Sequence, residues 1–206
     1  MHEGDDRRLL ESGVAVRSRP GEATCGDAAV VNSTPDQALV AAIDGLGHGA
    51  EAARAARIAA EIVREFAAET PVSLVRRCHD ALKQTRGVAM SLASFSGSER
   101  RITWLGIGNV EGRLVSSDSS LPSLSGSLPL LRGVPGHELP PMRPTTHDAR
   151  HGDVLMFVTD GISAAFADSL DVSGSPQEIA NRLAVEHWKG TDDALVVVAR
   201  YLGEGR

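Results

Sequence analysis

Apolar residues along this chain follow two rhythms, short alternating or unbroken runs in some stretches and a 3.6-residue repeat in others. From Leu10 to Val16 the apolar positions Leu10, Val14 and Val16 stand among polar neighbours, which predicts a half-buried strand broken by Arg-Ser-Arg-Pro-Gly at 17 to 21. Ala28 to Val31 predicts a second strand. The turn Thr34-Pro35-Asp36-Gln37 leads into a third, Ala38 to Ile43, antiparallel to the second. From Ala50 to Glu69 the rhythm changes: Ile58, Ile62 and Phe66, with Ala55, Ala59 and Val63, have helical spacing. Thr70-Pro71 then restarts a helix, Thr as N-cap and Pro at the first helical position, and Leu74, Val75, Cys78 and Leu82 form its inner stripe until Gly87. Two antiparallel helices over one face of a sheet follow from that spacing.

Strand patterns return at Val88 to Ser94, Arg101 to Ile107 and Gly112 to Val115, with turns at 97 to 99 and 109 to 111. They predict three hairpin-linked strands of one antiparallel sheet. Ser116 to Gly126 is rich in serine, and Pro135 to Pro144 carries four prolines; both are expected to be exposed, mobile loops. His151-Gly152-Asp153 turns into Val154 to Val158, the most hydrophobic strand. Ser175-Pro176-Gln177-Glu178 is a capping box, and Ile179, Ala180, Leu183, Ala184 and Trp188 mark the buried face of the helix it starts. A last apolar strand follows Asp192-Asp193.

Composition narrows the function without naming it. The 206 residues suffice for one core, and with no repeat or break in composition they are expected to form one domain, 1–206, with no separate sensor domain. A net charge of −6 with scattered Lys and Arg disfavours a nucleic-acid partner. Cys25 and Cys78 form no CxxC pair, so neither a disulfide framework nor a zinc site is expected, and Cys25 reads as a small buried or turn residue rather than a reactive thiol. The first eight residues are polar, and no window approaches the roughly 18 apolar residues of a membrane span. A cytoplasmic protein with no membrane partner is the expectation.

The chemistry sits where strands end. Ala41 to Gly49 reads AAIDGLGHG: a buried run delivers Asp44 into a glycine-rich turn, pairing a hard anionic ligand with the free carbonyl of Gly45. Oxygen ligands of that kind suit Mg²⁺ or Mn²⁺. The pattern repeats at Asp160-Gly161, and Asp27 and Asp192-Asp193 each adjoin another strand. The expected hairpin puts Asp27 beside Asp44, two carboxylates that repel unless a cation lies between them. Four acidic strand tips argue for one convergent cluster rather than four turn formers.

The ordered set GD, DGLGHG, GDVLMFVTDGI and DDALVVV resembles the PPM family of metal-dependent serine/threonine protein phosphatases (2C-like) over about residues 10 to 202. It is most similar to the bacterial regulatory branch, above all the stand-alone feedback phosphatase of the stressosome. That resemblance implies an α+β fold, a four-layer α/β/β/α sandwich of two antiparallel sheets flanked by helix pairs. It also implies hydrolysis of phosphoserine or phosphothreonine on proteins of a bacterial stress-signalling complex, through water activated by two Mn²⁺ or Mg²⁺ ions. Residue by residue, Asp44 matches the aspartate bridging both ions, Gly45 a carbonyl ligand of the second, and Asp160 and Asp192 ligands of the first. Asp27 matches an outer acid holding metal-bound water, and Asp193 a supporting hydrogen-bonding position.

His48 is a candidate general acid, although the general-acid His of eukaryotic members directly follows the DG, where this chain has Leu46; helix-start hydrogen bonding is the alternative. Arg17 and Arg19 are candidates for phosphate binding, with a solvated strand end as the other reading. The interval from Asp160 to Asp192 leaves room for one helix, so the flap subdomain of larger members is expected to be missing and selectivity to come from docking a folded phosphoprotein. Gly26 stands where some relatives have an acid, which is expected to raise the Mn²⁺ requirement. A catalytically inactive PPM-fold module that binds a signalling partner is the alternative function. An unrelated hydrolase finds no HExxH, GxSxG or Walker lysine to rest on.

Overall fold

The computed structural model describes residues 8–118, 128–168 and 170–203. In chain order the elements are β1 (Leu10–Arg17), β2 (Asp27–Ser33), β3 (Gln37–Gly45), α1 (Gly49–Glu65), α2 (Pro71–Ala81), β4 (Val88–Ser96), β5 (Arg101–Ile107), β6 (Glu111–Val115), β7 (Leu130–Leu131), β8 (Thr145–Asp148) and β9 (Val154–Val158). A short 3-10 turn (Ala164–Ala167), α3 (Pro176–Glu186) and β10 (Ala194–Tyr201) complete it. One sheet runs β1-β10-β9-β6; the other runs β2-β3-β4-β5-β7, with β8 also paired to β5. Every pairing is antiparallel except the two-residue contact of β5 with β7.

Alternation along the strands builds the layers. Successive side chains of a strand point to opposite faces, so on β3 Val40 and Ala42 enter the core between the sheets while Leu39, Ala41 and Ile43 pack under α1 and α2. On β10 Leu195, Val197, Ala199 and Tyr201 face the same inter-sheet core, and Val196 and Val198 face α3. Both strands read as unbroken apolar runs because both faces are covered. The scarce aromatics concentrate between the sheets: Trp104 meets Phe157 with ring centroids 5.0 Å apart, and Phe95 stacks on Tyr201 at 6.2 Å. Together the layers form the mixed α+β sandwich expected, with one difference. Among the described residues the β1-β10-β9-β6 sheet carries a single α-helix and the short 3-10 turn on its outer face rather than a helix pair.

Three expectations need correction. The strand at 111–115 does not continue the β4–β5 hairpin; it crosses to the other sheet and pairs with β9. The free edge of β5 is taken by β7 and β8, while Gly108, at φ 97°, turns the chain and Val110 is fully buried with its carbonyl accepting from Ser91 Oγ at 2.6 Å. The proline-rich stretch 135–144 is anchored at its start: Pro135 and Gly136 are buried, Val88 N donates to Pro135 O, and Gly136 N donates to His79 Nδ1 at 3.1 Å. α2 stops well before Gly87, where Thr85 Oγ1 donates to the Leu82 carbonyl at 2.7 Å. Of the serine-rich loop only 116–118 lie within the described residues. No helix among the described residues is long and apolar enough to cross a membrane.

Candidate metal centre

The acids gather because of register. In the β2–β3 hairpin Asp27 is the direct cross-strand partner of Asp44, which places both carboxylates at one end of that sheet. β9 and β10 are antiparallel neighbours, so Asp160, just after β9, and Asp192-Asp193, just before β10, share an end of the other sheet. Side-chain bonds join the two ends. Asp193, 4% exposed, accepts from Gly26 N at 2.7 Å and from Arg19 N at 2.8 Å, tying the β1–β2 loop to the start of β10. Thr159 Oγ1 donates to Asp27 Oδ2 at 2.7 Å and accepts from Leu195 N at 2.8 Å.

The glycines of the two Asp-Gly pairs are there for close approach. A β-carbon on Gly45 would collide with the Ala52 carbonyl of α1, and one on Gly161 with the Asp193 backbone. Each pair therefore couples an acid at a strand tip to a residue that lets the next element pack against that tip. At Gly26 a β-carbon would stand 3.0 Å from Asp193 Oδ2 and 3.1 Å from Ala52 Cβ. An acid at 26 would have to displace the loop's staple, which gives the glycine a local reason of its own.

Burial and crowding of like charge shape the electrostatics. Asp27 is pushed up to about 8, first by burial and then by Asp44, with the Thr159 hydroxyl pulling the other way and Asp193 and Asp160 adding to the rise. Asp44 is pushed up to about 7 by burial, then by Asp160 and Asp192, against a hydrogen bond from Asn109. The five aspartates thus act on one another across both sheets. Their side chains are nevertheless splayed: among the described residues no three His, Cys, Asp or Glu side chains close on a common point as a ligand set. Asp160 instead accepts from Asn109 Nδ2 at 2.8 Å, and Asp27 from Thr159. The donors fit a hard divalent cation, being carboxylate and carbonyl oxygens alone, with the charges of Asp27 and Asp44 opposed by their neighbours.

The other sequence candidates stand apart from this cluster's bonds. His48 caps α1 by position but makes no side-chain cap bond; its Nδ1 meets Glu22 Oε1 at 2.8 Å on the exposed rim. Arg17 is exposed, and Arg19 contributes its backbone amide to Asp193. Cys25 is half-buried, its thiol pushed up to about 12 by burial first; both cysteines are free. Asp153 accepts from Ser117 N and Arg150 N, each at 2.8 Å, at the opposite end of β9. Sequence reasoning missed Asn109, Thr159, Glu22 and Lys189, whose ammonium donates to the Asp160 carbonyl. Thr159 adjoins a recognised acid; Asn109 was hidden in a turn read as part of a hairpin.

Residues 34–202 match the stage II sporulation protein E (SpoIIE) family. The phosphoserine phosphatase RsbX of Bacillus subtilis (strain 168) is 26% identical over 97% of this chain and 99% of its own length. Among solved structures, a chain from work on the bacterial stressosome as a modular system adapted to control secondary messenger signalling superposes with TM-score 0.82. It is 27% identical, over 93% of this chain and 99% of that one. RsbX in complex with magnesium superposes with TM-score 0.83 at 23% identity, over 96% of this chain and 97% of that chain.

Proposed function

The chain belongs to the SpoIIE family, and from that membership we propose that it is a PPM-type phosphatase acting in stressosome signalling. Its substrates are phosphoserine or phosphothreonine residues on the proteins of that complex, and its cofactor is Mn²⁺ or Mg²⁺, two ions at a time. The full-length likeness to a phosphoserine phosphatase and to a stressosome-related chain supports the activity and its setting. The observation that carries the reading is the meeting of Asp27, Asp44, Asp160, Asp192 and Asp193 at one end of both sheets, which register and two side-chain bridges hold together.

In this reading Asp44, the Gly45 carbonyl, Asp160 and Asp192 would hold the ions, with Asp27 as the outer acid. Bound divalent ions lower the pKa of water and neutralise phosphoryl oxygens. The chain's own residues supply the positioning. Thr159 fixes one oxygen of Asp27 and leaves the other free. Asn109, carried from one sheet to the other by the β5–β6 crossing, orients Asp160. Asp193 uses both carboxylate oxygens on backbone amides, which makes it a support rather than a ligand. His48 and Glu22 form a polar pair on the rim, placed to meet the protein that bears the phosphate.

Phosphate release from a phosphoserine protein tests this. With Mn²⁺ the wild type should turn over, excess chelator should stop it, and Asp44→Asn should lower kcat/KM by at least about 100-fold. Turnover undiminished in that variant contradicts the assignment.

A further inference from the structure

Beside the acidic cluster runs a hollow of opposite character. Its walls are Thr24 and Cys25 of the β1–β2 loop on one side and Ala50, Ala53, Arg54 and Arg57 of α1 on the other. The four helix residues fall at i, i+3, i+4 and i+7, a single stripe along the helix. The neighbouring stripe, Ala52, Ala55, Ala56 and Ala59, is buried. The alanines give the hollow its depth, and the arginines give it charge.

Two observations bear on what those arginines can do. In a chain of net charge −6, Arg54 has no acidic partner among the described residues, and Arg57 reaches Glu61 only at 4.0 Å. Arg77, Arg86 and Arg113 instead have carboxylates within 2.7 Å. The elements that line the hollow also carry residues packed on the metal centre: Cys25 precedes Gly26, which bonds to Asp193, and Ala52 backs both Gly26 and Gly45. From Ala50 to Arg57 the stripe extends about 10 Å, the reach of about three residues of extended chain.

We propose that this groove receives the segment next to the phosphorylated residue of the substrate protein, and that it selects segments carrying carboxylates. The inference rests on the phosphatase reading above, since that reading places the phosphate at the aspartates beside the β1–β2 loop that forms one wall of the groove. An acidic flank would otherwise be repelled by the aspartates. Arg54 and Arg57 offset that repulsion with bidentate donors placed about one to two helical turns into α1. Specificity then lies on α1, in a molecule without room for a flap between Asp160 and Asp192.

Two labelled peptides carrying a non-hydrolysable phosphonate in place of the phosphoserine phosphate, identical except for glutamates or alanines at the flanking positions, test the inference by fluorescence anisotropy in Mn²⁺. The wild type should bind the glutamate peptide at least about tenfold tighter, and R54E/R57E, checked for an unchanged far-UV spectrum, should bind the two alike. R54K/R57K should retain part of the preference. Equal binding of both peptides by the wild type, binding of neither, or a preference that survives R54E/R57E overturns the groove. So does an R54E/R57E loss that is equal for both peptides, which would place the arginines on the phosphoryl group instead. Chelator-sensitive hydrolysis of p-nitrophenyl phosphate by the wild type is measured alongside. Its absence would remove the phosphatase reading, while the anisotropy difference still decides what the groove binds.

Discussion

Asp193 and Asp153, each 4% exposed, are the least exposed carboxylates among the described residues, and their surroundings separate a functional support from a structural one. Each accepts from two backbone amides, Asp193 beside the metal centre and Asp153 at the far end of β9. Removing either strands amides that lose charge-assisted partners, so Asp193→Ala and Asp153→Ala should each cost about 2–4 kcal/mol in denaturant unfolding. Only Asp193→Ala should also raise the Mn²⁺ concentration for half-maximal activity, by about 10- to 100-fold. Equal Mn²⁺ requirements in both variants would deny Asp193 its supporting role. The raised carboxyls make a second prediction. Asp27 and Asp44 titrate higher folded than unfolded, so they stabilise the fold fully below pH about 4. That contribution is lost as pH rises through about 7 for Asp44 and about 8 for Asp27. The chelated protein's thermal midpoint should therefore fall between pH 5 and pH 8, and Asp27→Asn should flatten that fall. An equal fall in the variant would mean that other groups govern it.

At the scale of elements, α3 illustrates how local chemistry and tertiary packing divide the work. Ser175 and Glu178 form the complete capping box, while Gln177 bonds to both the amide and the carbonyl of Val14 on β1. Ser175→Ala should cost about 1 kcal/mol and lower the thermal midpoint by a few degrees, with phosphate release unchanged, because the cap lies outside the acidic cluster. A large loss of activity would mean that α3 reports to the site. The same division explains what could be read from sequence. The capping box, the Thr-Pro start of α2, the β2–β3 hairpin and the Asp-Gly tips are written in neighbouring residues, and all appear where expected. The crossing of β6 is not, because Gly108-Asn109-Val110-Glu111 carries ordinary turn residues and the choice of sheet is made by β7 and β8 occupying β5's edge. β8, Thr-Thr-His-Asp, has no apolar pattern to find. Asn109 escaped notice for the same reason, since its place beside Asp160 exists only once the chain has crossed.

For the whole molecule, two sheets packed face to face bring five aspartates to one edge of the sandwich, where their charges crowd one another. A ligand that binds the folded state alone stabilises it by mass action, so fold and function are coupled through the same aspartates. Titration calorimetry with Mn²⁺ on the metal-stripped wild type and on Asp44→Asn tests this most directly. Wild type should bind with a heat that saturates, and Asp44→Asn should bind at least about 100-fold more weakly. Equal binding by both proteins, or none by the wild type, would contradict the account.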